Sequence, residues 1–132
     1  MHSATHLKAI PVPPGHAIIE RDLSVAGLAH HKVHAARFCE GQNQAVELVP
    51  DPQNAHDANA IQVWGTWTDI DGAHGELLGF VWREEAAKIA RAGIVGAIQG
   101  RLYKTFLEDD YVSIRFQITA PKEAAAIYKA TR

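Results

Sequence analysis

The densest group of chemically capable side chains lies at residues 51–59, with the sequence Asp-Pro-Gln-Asn-Ala-His-Asp-Ala-Asn. Short polar side chains such as those of Asn54, Asp57 and Asn59 hydrogen-bond to nearby backbone and favour tight turns. The Asp57 carboxylate can also accept a hydrogen bond from a nucleic-acid hydroxyl. The stretch predicts a tied loop that either serves structure alone or also carries a ligand site.

A second candidate is Arg83, which begins the clearest helical pattern in the chain, residues 83–92. A cation in the first turn of a helix opposes the helix dipole, whereas an anionic ligand there is favoured by helix and guanidinium together. Either such a ligand or the carboxylates of Glu84 and Glu85 offset the charge. The adjacent Trp82 is the best candidate among three tryptophans for a stacking platform, with core packing as the alternative.

Eight histidines among 132 residues invite a metal hypothesis. His30 and His34 are four residues apart, which on a helix places both on one face, and with His56 they form an alternative zinc set. The chain has no His-Glu-x-x-His motif and no cysteine pair, since Cys39 is its single cysteine. No paired carboxylate or nucleophile motif accompanies Asp57, so we expect no catalysis and no cofactor. A zinc protein associated with a hydrolase stays open as an alternative.

Length and charge restrict the class of protein. A chain of 132 residues forms one domain with a real core, and its formal charge of −2 excludes a polybasic mode of nucleic-acid binding. It still permits capture of a nucleic-acid end, which needs only two or three contacts plus stacking. Four cations form either a local basic patch or scattered surface charge: Lys32, Arg37, Lys104 and Arg115. No apolar run approaches the roughly 20 residues that span a bilayer, and the single cysteine fits a reducing, cytoplasmic setting.

The elements that must position these residues follow from periodicity and turn signals. Residues 1–22, with a proline-rich stretch, are predicted to be an extended arm that adds an edge strand through residues 17–19, and residues 23–132 a single domain. Strands are predicted at 23–28, 45–49, 60–64, 77–81, 95–104 and 111–119, helices at 83–92 and from Pro121, and a further short helix is considered within 30–40. Residues 65–75 are predicted to be a hairpin loop. This order is typical of a mostly β, α+β domain in which helices pack on a small antiparallel barrel or curved sheet.

Two blocks of sequence form a recognisable pattern. The first is 48–63, Leu-Val-Pro-Asp-Pro-Gln-Asn-Ala-His-Asp-Ala-Asn-Ala-Ile-Gln-Val. The second is 78–81, Leu-Gly-Phe-Val, followed by Arg83, in which a glycine-containing strand enters a helix. With these blocks, residues 41–90 resemble the HIRAN domain, a module that also occurs as free-standing bacterial and phage proteins. Weaker similarity extends the resemblance over residues 23–120.

The resemblance implies an OB-like antiparallel β-barrel of about six strands with two helices packed on it. It implies a non-catalytic module that recognises the 3′-hydroxyl end of single-stranded DNA, or stalled or damaged DNA structures. The implied site consists of His30, His56, Asp57, Trp82 and Arg83, with Asn54 and Asn59 shaping the loop. His30 and His56 stand where the family carries tyrosines, and Ala29 stands where it carries an arginine. The alternative is an adaptor that recruits a helicase or nuclease partner.

Overall fold

The computed structural model describes residues 5–8 and 10–132. Within these residues it contains seven strands, three α-helices and two short 3₁₀ helices, Leu28–His31 and Val95–Ala97. The strands are β1 (Thr5–Leu7), β2 (His16–Ser24), β3 (Gln42–Pro50), β4 (Ile61–Asp69), β5 (Gly72–Phe80), β6 (Gln99–Glu108) and β7 (Tyr111–Pro121). The α-helices are α1 (Lys32–Glu40), α2 (Arg83–Ala92) and α3 (Lys122–Thr131).

The strands form two antiparallel sheets. One has the order β1-β6-β7-β2 and the other the order β3-β4-β5. The sheets approach each other at Gly100 of β6, where a Cβ would lie 3.1 Å from side-chain atoms of Val46 and Leu48. The mostly β architecture with packed helices is confirmed. Ladder pairing among the described residues does not close the strands into one barrel, so the OB-like barrel stays a prediction.

The main core lies between the two sheets, and α1 packs against strands of both. Phe38 of α1 is fully buried, and its ring meets that of Trp67 edge to face, with centroids 6.0 Å apart. Phe116 of β7 and Tyr128 of α3 complete the large buried rings. The prediction of two helices packed on the sheet is therefore one too few. The third helix is α1, which the sequence indicates only weakly although it supplies a central part of the core.

The predicted boundary between an arm at 1–22 and a domain from residue 23 falls inside β2. This strand pairs with β7 from His16 to Ser24, and Ile19 is buried, so residues 16–22 belong to the sheet. The edge strand through residues 17–19 is confirmed, since β2 is the outer strand of its sheet. The part of the arm at residues 1–4 and 9 lies outside the described residues.

The predicted strand at 23–28 is wrong. The strand ends at Ser24, and Ala26 makes only an isolated bridge to Phe80. Gly27 then takes a left-handed conformation, with φ 76°, and begins the first 3₁₀ helix. This turn carries His30 away from β2 and onto a separate short helix.

The predicted hairpin loop at 65–75 is also wrong, because β4 continues to Asp69 and the turn is only two residues long. Gly65 occupies a buried strand position where a Cβ would lie 2.7 Å from carbon atoms of both Phe38 and Leu78. The glycine therefore permits close packing of α1 and β5 on β4 and does not mark a turn.

The helix at 83–92 and the helix after Pro121 are confirmed. Ala86 and Ile89 of α2 are buried, and Gly93 ends the helix in a left-handed conformation with φ 71°. In the described part of the chain, no helix is long and apolar enough to cross a membrane.

Candidate nucleic-acid interface

The loop between β3 and β4 is held by its own short side chains. Asn54 Oδ1 accepts hydrogen bonds from the backbone N–H groups of His56 and Asp57, at 2.9 and 3.1 Å. Asp57 Oδ1 in turn accepts the N–H of Asn59 at 2.9 Å. Asn54 thus shapes the loop through its side chain, whereas Asn59 takes part through its backbone.

Asp51 anchors this loop to the sheet, a role that the sequence reasoning missed. Its Oδ2 accepts hydrogen bonds from Asn54 Nδ2 at 3.0 Å and from Gln62 Nε2 at 3.2 Å. Gln62 Oε1 accepts the indole N–H of Trp64 at 2.7 Å. The available signal was an acid directly after a strand, opposite the alternating polar face of β4. These bonds fix the loop backbone before any ligand arrives.

The start of α2 faces this loop. The Arg83 guanidinium donates from Nη2 to the His56 carbonyl at 3.2 Å, and its Nε lies 3.6 Å from Asp57 Oδ2. The Arg83 side chain is 72% exposed, and exposed ion pairs contribute only about 0.2–1 kcal/mol. A phosphate ligand can therefore replace Asp57 as the partner of the guanidinium at a small cost in free energy.

Trp82 lies beside Arg83 and is 48% exposed. Its indole Nε1 donates to Ser24 Oγ at the end of β2, at 3.0 Å. The hydrogen bond holds one edge of the ring while the rest of the indole stays open to solvent. Such a ring is a suitable stacking surface for a base.

These residues enclose a cleft of ≈ 320 Å³. Its apolar lining comes from Ala26, Ala60, Phe80, Val81 and Trp82, and its polar lining from Asn54, His56, Asp57 and Arg83. Two hydrogen bonds between the backbones of Ala26 and Phe80, at 2.8 and 2.9 Å, fix the position of the apolar wall.

Four of the five predicted site residues therefore lie together: His56, Asp57, Trp82 and Arg83. His30 does not line this cleft. It lines a neighbouring depression of ≈ 390 Å³ with the residues around it on the first 3₁₀ helix and α1. The separation follows from the turn at Gly27, which the predicted strand at 23–28 did not include.

The structure does not bring the alternative zinc set of His30, His34 and His56 together. His34 Nε2 lies 3.5 Å from Glu76 Oε1, whereas His56 lies in the cleft. Within residues 5–8 and 10–132, no three His, Cys, Asp or Glu side chains are placed so that they could hold a metal ion.

Fold and cleft together define a small, mostly β domain with one polar-rimmed cleft beside the start of a helix. The profile of the HIRAN domain matches residues 20–126, which is well over half of the chain. The chain belongs to the HIRAN domain family, whose domain is known as a nucleic-acid-binding module. Its fold is similar to the crystal structure of the HIRAN domain of human HLTF, with 19% sequence identity and a TM-score of 0.51. This similarity covers 91% of this chain and 92% of that one. None of the curated proteins matches the sequence.

Proposed function

We propose that the chain binds the 3′ end of single-stranded DNA in the cleft between the 51–60 loop and α2, without catalysing a reaction. The observation that carries the proposal is the position of Arg83, which reaches the His56 carbonyl and the Asp57 carboxylate beside the exposed Trp82 ring. A cation, a hydrogen-bond acceptor and an aromatic surface thus meet in one small cleft.

Asp57 is suited to a terminal hydroxyl. Its Oδ1 is already occupied by the Asn59 N–H, whereas its Oδ2 is 3.6 Å from Arg83 Nε, longer than an ordinary hydrogen bond. The side chain is 21% exposed, so Oδ2 has acceptor capacity that a ligand hydroxyl can fill. A carboxylate also repels a terminal phosphate, which favours a hydroxyl end over a phosphorylated one.

Trp82 and His56 supply stacking surfaces, and base stacking on an aromatic side chain is worth about 1–3 kcal/mol per base. Arg83 and the first N–H groups of α2 favour one phosphate. So few charge contacts are compatible with the formal charge of −2. They predict a shallow salt dependence. A plot of the logarithm of the binding constant against the logarithm of the salt concentration should have a slope of about −0.7 per phosphate contacted in a single strand.

The non-catalytic part of the proposal has support in the cleft lining. It holds one carboxylate, and Cys39, the single cysteine of the chain, does not line it. His56 is adjacent to Asp57 in the chain but is held by its backbone N–H on Asn54, with no hydrogen bond linking the imidazole to the carboxylate.

The test compares two 5′-labelled oligonucleotides, one with a 3′-hydroxyl and one with a 3′-phosphate, by fluorescence anisotropy. The wild-type chain should bind the hydroxyl end about tenfold more tightly or better, because the phosphate lies against Asp57. Asp57→Asn keeps an oxygen for the Asn59 N–H but loses the charge, and should bind both ends equally. Asp71→Asn, in the exposed β4–β5 turn, is the matched control and should retain the preference.

A second pair of variants tests the cation. Arg83→Ala should weaken binding about tenfold or more and make the salt slope shallower by about 0.7. Arg91→Ala, an exposed arginine in the last turn of the same helix, should leave both quantities unchanged. Equal affinity of the wild type for both ends, or no effect of Arg83→Ala, would contradict end capture in this cleft. Absence of binding to either oligonucleotide would favour the adaptor alternative.

A further inference from the structure

A second surface lies on the outer side of the β6–β7 hairpin, outside the cleft. We call it the hairpin face, and its lining residues are Asp22, Lys104, Thr105, Phe106, Tyr111, Ser113 and Arg115. It borders an open depression of ≈ 550 Å³. Two of the four cations that the sequence left open, Lys104 and Arg115, meet here, whereas Arg37 lies 3.9 Å from Asp69 elsewhere.

Lys104 and Arg115 are direct cross-strand partners, so two positive side chains lie opposite each other. Like charges in that position are destabilising unless something neutralises them. Arg115 donates from Nε to Asp22 Oδ1 at 2.7 Å. Among the described residues, Lys104 has no carboxylate within 4.0 Å, and its ammonium lies 5.2 Å from the centre of the Tyr103 ring. The hairpin face therefore carries one uncompensated positive charge.

Aromatic surface accompanies this charge. Phe106 and Tyr111 form an edge-to-face pair with centroids 5.6 Å apart. Phe106 is cross-strand partner of Ser113, two residues from Arg115 on the same strand face. Cations and rings that alternate on one sheet face are the combination used to bind single-stranded nucleic acid, in which phosphates and bases alternate.

Ser24 links a residue of the hairpin face to a residue of the cleft. Its Oγ accepts the indole N–H of Trp82, and in the sheet Ser24 is the cross-strand partner of Arg115. Cross-strand partners share a sheet face, so Trp82 and Arg115 lie on the same side of β2. Neighbouring strands are about 4.8 Å apart, which places Lys104 about 10 Å beyond β2, or roughly three stacked nucleotides at about 3.4 Å each.

From this geometry we infer that the hairpin face binds the phosphate backbone of single-stranded DNA as the strand leaves the cleft, with Lys104 as the principal phosphate contact. The inference rests on the proposed function for the identity of the ligand. It adds a second segment to the footprint and explains why two cations are placed opposite each other. The chain then contacts about three to five nucleotides, and affinity depends on oligonucleotide length.

The test measures binding of 3′-hydroxyl oligonucleotides of about two and about eight nucleotides, by competition anisotropy, from about 50 to about 200 mM salt. The wild type should gain about tenfold or more in affinity from the longer strand. Lys104→Glu should remove most of this gain and make the salt slope for the longer strand shallower by about 0.7 or more, while leaving the dinucleotide affinity unchanged. Lys129→Ala, in the last turn of α3, is the matched control and should behave as the wild type.

Combining this series with Arg83→Ala separates the two proposals. If Lys104→Glu loses the gain in affinity with oligonucleotide length, binding at the hairpin face is supported, even if Arg83→Ala has no effect and end capture in the cleft fails. If Lys104→Glu changes neither the gain in affinity with length nor the salt slope, while Arg83→Ala still weakens dinucleotide binding, only the inference about the hairpin face is overturned. An unchanged affinity from two to eight nucleotides in the wild type, or no binding at all, also overturns it.

Discussion

The backbone of Gly79 lies so close to Ala26 that a Cβ at position 79 would be 2.3 Å from the Ala26 carbonyl oxygen. Gly79 also has a φ of 152°, which L side chains rarely adopt. The close approach allows the two hydrogen bonds between Ala26 and Phe80 that fix the apolar wall of the cleft.

Gly79→Ala should therefore lower the free energy of unfolding by about 2–3 kcal/mol, because it combines backbone strain with a steric clash. Urea denaturation measures the change. Gly75→Ala on the same strand is the control, since a Cβ there meets only Thr66 at an ordinary 3.8 Å and has no strained φ. A similar effect of both substitutions would show that the contact with Ala26 has no special role.

Asp51→Ala should loosen the loop that carries His56 and Asp57. The substitution leaves the amides of Asn54 and Gln62 without their shared acceptor, at a cost of about 1–2 kcal/mol. Hydrogen exchange of the His56 and Asp57 amide protons should become faster, as both depend on Asn54. Asp110→Ala in the β6–β7 turn should leave these rates unchanged, and unchanged rates in Asp51→Ala would contradict the anchoring role.

Cys39 should react slowly with thiol reagents in the folded chain. Burial raises the pKa of its thiol to about 12, so very little reactive thiolate is present at pH 8. Alkylation by iodoacetamide, followed by mass spectrometry, should be at least about tenfold slower in the native protein than in urea. Rapid modification of the native chain would show that the thiol is neither buried nor raised in pKa.

Asp69 should make stability depend on pH in the acid range. A hydrogen bond with His74 Nε2, at 2.7 Å, is the main reason that the pKa of this carboxyl lies below its usual value in the folded protein. Between the folded and unfolded pKa values the unfolded chain binds more protons, so stability rises with pH in that window. The stabilisation is complete above the unfolded pKa of about 3.9 and is lost as pH falls through the folded value.

Asp69→Asn should consequently lower Tm at pH 6, with a difference from the wild type that narrows steadily below about pH 4. Asp71→Asn, in the neighbouring turn, serves as the control and should show no such narrowing. A difference that stays constant from pH 6 to pH 3 would mean that the charge of Asp69 does not contribute.

The sequence predicted elements well where one periodicity acts over many residues. The apolar stripe of α2, with Ala86 and Ile89 buried, and the alternation of β7 as far as Phe116 are clear examples. Prediction from the sequence failed where the role of a residue depends on a neighbour that is distant in the chain. Gly65 resembles a loop glycine, but its role depends on Phe38 and Leu78, which lie far from it in the chain.

The same distinction holds for the site. Composition and turn chemistry indicated the loop around Asn54 and Asp57, and the helix start indicated Arg83, because each signal is local. Sequence reasoning could not place His30, since its position depends on a left-handed turn at Gly27. The role of Ser24 depends on a tertiary hydrogen bond to Trp82 and has no local signature. The role of Asp51 was indicated locally only by its position directly after a strand, and its bond to Gln62 is tertiary.

The exposure of Trp82 gives the protein an intrinsic optical reporter. Trp67 is 2% exposed and Trp64 is half-buried, so a soluble quencher such as acrylamide reaches the 48% exposed indole of Trp82 first. A base stacked on Trp82 would shield this ring and change its emission without any attached label. Occupancy of the cleft can therefore be followed in the unmodified chain by tryptophan fluorescence, with Trp82→Phe as the silent reference.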